Sequence, residues 1–216
     1  MREIIKNIST WRTFQGDKGY YFNGWILNLP EGQLIVDPPS LSEEAVKMIL
    51  SLKNPLGIFL TNWSHKRATN DVLSLRAMPV FIHQNDSIKL EANFPVSFIN
   101  KTTQLSSILK IIESPGRSPG EVALLLNQDK GILILGDVVI GHPALGLTYL
   151  PNPKIADKPQ LQNTVGNLCQ LNFDTLLLGD GDLILKNAKL ELMSFSKNPV
   201  TMPDPGNIST VTPKGC

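Results

Sequence analysis

Leu56-Gly57-Ile58-Phe59-Leu60-Thr61-Asn62-Trp63-Ser64-His65-Lys66-Arg67 is the stretch on which the fold turns. Its apolar opening lacks the 3.6-residue spacing of an amphipathic helix and reads as a short buried strand. The polar cluster after Thr61 then belongs to the loop at that strand's end. Upstream, Ser40-Leu41-Ser42-Glu43 has the S-x-x-E form of a capping box. Ala45, Val46, Met48, Ile49 and Leu52 follow at helical spacing, which predicts a helix over about 41–53. Downstream the same pattern predicts a helix over 68–77, a strand at 80–82 that His83 closes, and a small helix near 86–92. Strand and helix alternate, so this half is α/β.

Before this region, Gly19–Leu27 and Gln33–Asp37 are rich in aromatic and β-branched residues, and the turn signal Pro30-Glu31-Gly32 separates them. They predict a hairpin that opens a sheet. After it, three close apolar runs at 108–112, 122–126 and 132–135 predict antiparallel strands of a second sheet. A Pro-rich loop over 141–159 leads to a predicted helix at 161–171, a buried strand at 175–178 and a closing helix at 183–195. Residues 198–216 carry many Pro, Gly, Ser and Thr and few large apolar groups, so a flexible tail is expected beyond a single domain over 1–197.

Composition narrows the function classes. With 216 residues, 42% hydrophobic and 18% charged, the chain can bury a layered core without cross-links. A net charge of +1 gives no electrostatic case for nucleic acid or a membrane surface. No apolar run reaches the roughly 18 residues of a membrane span, and Met1–Lys6 lacks the apolar core of a secretion signal, so the cytoplasm is the expected compartment. Cys169 and Cys216 form no metal-ligand spacing and read as free thiols.

Four polar landmarks stand at strand ends: Thr61-Asn62-Trp63-Ser64-His65-Lys66-Arg67, Ser114-Pro115-Gly116-Arg117-Ser118-Pro119-Gly120, Leu135-Gly136-Asp137 and Leu178-Gly179-Asp180-Gly181-Asp182. From Asn62 to Arg117, Arg117 to Asp137 and Asp137 to Asp180 the separations are 55, 20 and 43 residues. In order and spacing they resemble the metallo-β-lactamase superfamily, in particular its glyoxalase-II-like hydrolases, whose motifs read T-H-x-H-x-D-H, P-G-H-S-P-G, G-D and G-H-G-D. The likeness covers about residues 8–197. It implies a four-layer αββα sandwich and, in the family, two zinc ions held by imidazoles and carboxylates that activate a bridging water.

Position by position the resemblance puts Asn62 and Ser64 where the first two histidines belong, Lys66 at the motif Asp, Arg67 and Arg117 at the next histidines and Asp180 at the last. Only Asp137, the bridging carboxylate, is unchanged. Lys and Arg offer no lone pair at neutral pH, and Asn and Ser are weak neutral donors, so no metal cofactor is expected. Lys66, Arg67 and Arg117 against Asp137 and Asp180 leave a formal charge of +1 where the family has two dications. The sequence thus predicts cation–carboxylate pairing in place of metals, since the guanidinium fork suits carboxylates.

His65 lies one residue off the ligand register, so its side chain is expected to point away from its neighbours at 64 and 66, as a surface group or a support behind the ligand positions rather than a ligand. His142, opening the loop beside the cleft, is the remaining candidate for acid–base work together with Asp137. No Ser or Cys stands in an evident nucleophile turn. Three functions stay open: a metal-free pseudoenzyme binding a small anionic ligand, an active hydrolase of thioesters, lactones or phosphoesters with a rebuilt or single-metal site, and a structural subunit such as a homodimer.

Overall fold

Side-chain alternation along single strands sets the layers. In a computed structural model that describes residues 2–204, the chain opens with the antiparallel strands β1 (Arg2–Ile5), β2 (Ile8–Gln15), β3 (Tyr20–Leu29) and β4 (Gly32–Val36). Then α1 (Glu43–Ser51), β5 (Pro55–Phe59), α2 (Thr69–Leu75), β6 (Val80–His83), α3 (Gln84–Leu90) and β7 (Ser97–Ile99) add three parallel strands. The result is a seven-stranded sheet in chain order.

The second half supplies β8 (Leu109–Glu113), β9 (Val122–Leu126) and β10 (Ile132–Leu135), the small ribbon β11 (Ile140–His142) and β12 (Gly146–Thr148), then α4 (Lys158–Leu168), β13 (Thr175–Leu178) and α5 (Ala188–Lys197). Its four-stranded sheet has the order β13-β10-β9-β8, with β13 parallel to β10.

Leu34 and Val36 face the second sheet, where they meet Leu124, Ile134 and Leu177, while Ile35 between them faces α1 and α2. Likewise Ile132 and Ile134 point into the space between the sheets, and Leu133 and Leu135 point outward to α4 and α5. A strand buried on both faces reads as a continuous apolar run, as these do. Three apolar layers thus separate four structural ones, the expected αββα sandwich.

Several local expectations shift. Ser42, not Ser40, caps α1, its hydroxyl accepting from the Ala45 backbone at 3.2 Å. The hairpin of β1 and β2 escaped the sequence pattern because its turn at Lys6-Asn7 lacks Gly and Pro; Asn7 supplies the positive φ of 68° instead. The closing helix begins at Ala188 rather than 183, since Ile184 exchanges backbone hydrogen bonds with Leu176 (3.0 and 2.7 Å) and extends this segment as a sheet edge. Of the expected flexible tail, 205–216 lie outside the described residues. Thr201 bridges Tyr149, and Met202 packs against Tyr20, Ile140 and Leu150, so the described part is docked. Cys169 is a buried free thiol, and Cys216 is outside the described residues. Among the described residues no helix is long and apolar enough to cross a membrane.

Candidate functional site

The C-terminal ends of β4, β5, β10 and β13 meet at one edge of the sandwich, joined by the loop from β8 to β9. Each end delivers part of one buried polar cluster. Backbone contact ties the two sheets together there: the Val122 amide donates to the Thr61 carbonyl at 2.9 Å. Close approach demands glycine at two strand ends. A Cβ on Gly136 would lie 2.3 Å from Thr61 Oγ1, and one on Gly179 would lie 2.7 Å from His65 Cε1.

His65 occupies the centre and is 1% exposed. Its Nδ1 lies 2.7 Å from Asp37 Oδ2 and 3.0 Å from Thr61 Oγ1, and its Nε2 lies 3.3 Å from Asp137 Oδ1. The ring meets Asp137 from beside Ser64, so it neither points away from that neighbour nor lies on the surface, the first of the two places expected for it. Trp63–Lys66 form a 3-10 turn, not an extended segment, so the two-residue alternation on which that expectation rested does not apply. Burial and the nearby Arg67 push the His65 pKa down, but Asp37 and Asp137 outweigh them and raise it to about 9. His65 is therefore an imidazolium at neutral pH, donating to a carboxylate from each nitrogen.

The two aspartates of the landmarks each take an arginine. Arg117 Nη2 lies 3.0 Å from Asp137 Oδ2 and donates to Ser64 Oγ at 2.9 Å. Arg67 Nη2 donates to Asp180 Oδ1, and its Nη1 reaches the Gly179 carbonyl at 3.4 Å. Burial alone would raise the Asp137 pKa, yet Arg117 and His65 hold it well below the usual carboxylate range. Asp180 moves the other way: burial and the neighbouring Asp137 raise it more than Arg67 lowers it. Arg117, although buried, is raised by Asp137 and the acids behind it.

Asn62 and Ser64 serve the same network. Asn62 Oδ1 accepts from the Ser64 amide at 2.9 Å and caps the 3-10 turn, while its Nδ2 donates to Glu121 Oε1 at 3.3 Å. The Ser64 hydroxyl divides its one proton between Asn62 Oδ1 (2.6 Å) and Asp137 Oδ2 (2.9 Å). Glu121, wholly buried, accepts from the Asp137 amide. Burial and the Asp137 charge raise its pKa to about 8, which favours the neutral acid at pH 7, and its Oε2 has no hydrogen-bond partner. Three cations, His65, Arg67 and Arg117, thus face three carboxylates, Asp37, Asp137 and Asp180.

Two expected members are absent from this cluster. Lys66 turns away and donates to the Glu91 carbonyl at 2.8 Å. His142 packs its ring against Tyr20, with Nδ1 accepting from the Ala144 amide at 3.2 Å, and does not line the cleft. Its place one strand beyond Asp137 put it near the site in sequence only. Asp37, His65 and Glu121 are the members that sequence reasoning missed. Asp37 and Glu121 did carry a signal, since each is a lone acid at the tip of an apolar strand, Asp37 after Leu34-Ile35-Val36 and Glu121 before Val122-Ala123-Leu124.

Backbone geometry marks the same place: Asp37 and Arg67 adopt positive φ, 49° and 31°. Such conformations cost of order 1–3 kcal/mol each and persist where surrounding structure enforces them. Above the cluster lies a cleft of about 470 Å³, lined at its floor by Ser64, His65, Arg67, Arg117, Asp137 and Asp180. Its walls are aromatic. Arg67 stacks over Phe22 (4.0 Å to the ring centroid) and Arg117 over Trp63 (5.2 Å).

A sequence model of the metallo-beta-lactamase superfamily matches residues 4–198. The chain belongs to that superfamily. No curated protein sequence matches it. Solved structures of the superfamily fold align over nearly their whole length. The structure described as TTHA1623 in a di-iron-bound form is 20% identical with a TM-score of 0.66, covering 86% of this chain and 98% of that one. DIM-1 metallo-beta-lactamase is 17% identical with a TM-score of 0.71, covering 90% and 95%. A metallo-beta-lactamase from Pontibacter korlensis is 17% identical with a TM-score of 0.70, covering 91% and 98%. At these identities the likeness is one of fold.

In this superfamily member the side chains at the positions that the resemblance assigns to metal ligands are largely engaged elsewhere. Both ends of the Asn62 amide are engaged, Lys66 points elsewhere, and Arg67 and Arg117 put guanidinium groups where donors are needed. One ligand atom from each of His65, Asp137 and Asp180 does lie within 4.8 Å of the others, a set that can hold a single metal ion.

Proposed function

We propose that this chain is a metal-free member of the superfamily that binds a small anionic molecule and does not hydrolyse it. The observation that carries the reading is the pairing of Arg117 with Asp137 and Arg67 with Asp180, which gives each landmark carboxylate a fixed cation. A dication placed among His65, Asp137 and Asp180 would have to displace one guanidinium and deprotonate His65, whose pKa is raised to about 9. The motif order P-G-x-S-P-G, G-D and G-x-G-D supports a reading of the chain as a relative of the glyoxalase-II-like branch whose hydrolytic residues have been exchanged. No group in the cleft is set up as a nucleophile: the Ser64 hydroxyl accepts from Arg117, and its neighbour Asp137 is too weak a base to activate it.

A second reading, a single-metal hydrolase, is favoured by the mutual approach of His65, Asp137 and Asp180. Elemental analysis of protein purified without chelators separates the two. Zinc, iron and manganese well below one ion per chain, with no thermal shift on adding Zn²⁺, is the expected result, since a ligand of the folded state raises its stability. One tightly held ion per chain overturns the metal-free reading.

A further inference from the structure

The floor of the cleft is electrically balanced, and its rim is not. Lys18, in the turn between β2 and β3, Lys89 on α3 and Lys154, in the 3-10 turn Asn152–Lys154, all line the opening. Among the described residues none of the three has an ion-pair partner. Lys89 lies over Trp63 on one wall, at 5.9 Å, and Lys18 over Phe22 on the other, at 4.3 Å. Lys18 and Lys154 come from different loops and border the same opening. Burial pushes the Lys18 pKa down, Asp180 pulls it part of the way back, and the Lys154 charge pushes it down again.

Two ammonium groups on the rim of one cleft, neither of them in an ion pair among the described residues, offer a place for two negative charges. The surface beneath them is apolar, formed by the buried Leu150 and the half-buried Phe22 and Ile155. We infer that the cleft takes an organic phosphate monoester, its dianionic head between Lys18 and Lys154 and its apolar body on Leu150, Ile155 and Phe22. This rests on the metal-free anion-binding reading and adds the ligand's chemical class. A carboxylate head would answer only one of the two charges. Inorganic phosphate would leave the apolar surface wet, and the volume suits a small molecule.

Calorimetric titration with phenyl phosphate, inorganic phosphate and benzoate at pH 7 and low salt tests it, with metal content measured on the same samples. Phenyl phosphate is expected to bind about tenfold more tightly than either of the others, roughly one charge-assisted contact or its equivalent in apolar burial. Lys18→Met and Lys154→Met should each weaken it about fivefold to tenfold, and EDTA should change nothing. Metal-free protein that ignores phenyl phosphate, binds benzoate equally well, or binds phenyl phosphate unchanged in both lysine variants overturns the inference and leaves the metal-free reading standing. Binding that requires a bound metal and disappears with EDTA overturns both.

Discussion

Replacing Arg117 by Met removes the guanidinium from Asp137 and from the face of Trp63, over which its central carbon lies at 5.2 Å, while keeping most of the aliphatic stem. Arg117 is 8% exposed and Asp137 4%, so the pair is screened little by solvent. Breaking a buried pair by removing one partner costs about 3–5 kcal/mol. Asp137 retains His65 at 3.3 Å and the Ser64 hydroxyl at 2.9 Å, which places the expected loss near the lower end, about 3 kcal/mol. For a chain of this length that is a fall in Tm of roughly 6–12 °C. The loss should also depend on pH. Asp137 is depressed in the folded protein, so its stabilisation is present above its unfolded pKa and is lost as pH falls through the folded one. Because the variant lacks most of this contribution, wild type and Arg117→Met should converge progressively as pH falls below about 4, the unfolded carboxyl's value. Urea unfolding followed by tryptophan fluorescence at a series of pH values measures both effects. A loss under about 1 kcal/mol at pH 7, or one of equal size at pH 7 and pH 3, refutes the pairing argument. Should the single variant fail to fold, Arg117→Met with Asp137→Asn removes both charges, and a double variant no more stable than the single one refutes it equally.

Three further outcomes test the rest of the cluster. His65 is raised to about 9, so its contribution is full below about pH 6.5 and is lost as pH rises through 9, a loss of about 3 kcal/mol measurable as Tm against pH. Glu121, raised from 4.5 to about 8, adds a separate loss that runs from about pH 4.5 to pH 8, because the folded protein holds its proton over a range where the unfolded chain has released it; Glu121→Gln should remove that part of the slope, and an unchanged slope below pH 8 counts against a neutral Glu121. Gly179→Ala puts a Cβ 2.7 Å from His65 Cε1 and should destabilise by about 1–3 kcal/mol in urea unfolding, while Lys66→Ala, which loses only a hydrogen bond to the Glu91 carbonyl, should stay within about 0.5 kcal/mol.

Sequence reasoning reached the layers and the strand ends because apolar runs such as Ile132–Leu135 and Thr175–Leu178 are long enough to declare themselves. It was weakest where one residue decides between local geometries. His65 is the clearest case: in an extended segment it would face away from Ser64 and Lys66, whereas the 3-10 turn capped by Asn62 brings it inward and turns Lys66 out. The cap itself was visible as a polar residue at a strand end, but nothing local shows that Asp37, 28 residues earlier, waits at 2.7 Å to receive the ring. Lys18, Lys89 and Lys154 were invisible for the same reason, since only the fold brings these distant segments around one opening.

The exchange of Lys66 for His65 alters the electrostatics of the site more than a change of one cation suggests. With Lys66 among the partners, the cluster would carry a spare positive charge able to attract an anion to the floor of the cleft. With His65 in its place the third cation brings its own carboxylate, Asp37, and the neutral Glu121 adds no charge behind them. A floor balanced in this way has little to gain from a further anion, because each buried donor already has an acceptor and any newcomer must compete with a fixed ion pair. Affinity for an anion must then come from charges that have no ion-pair partner among the described residues. In this cleft those are the rim lysines, which can exchange water for a ligand without breaking the core that holds the two sheets together.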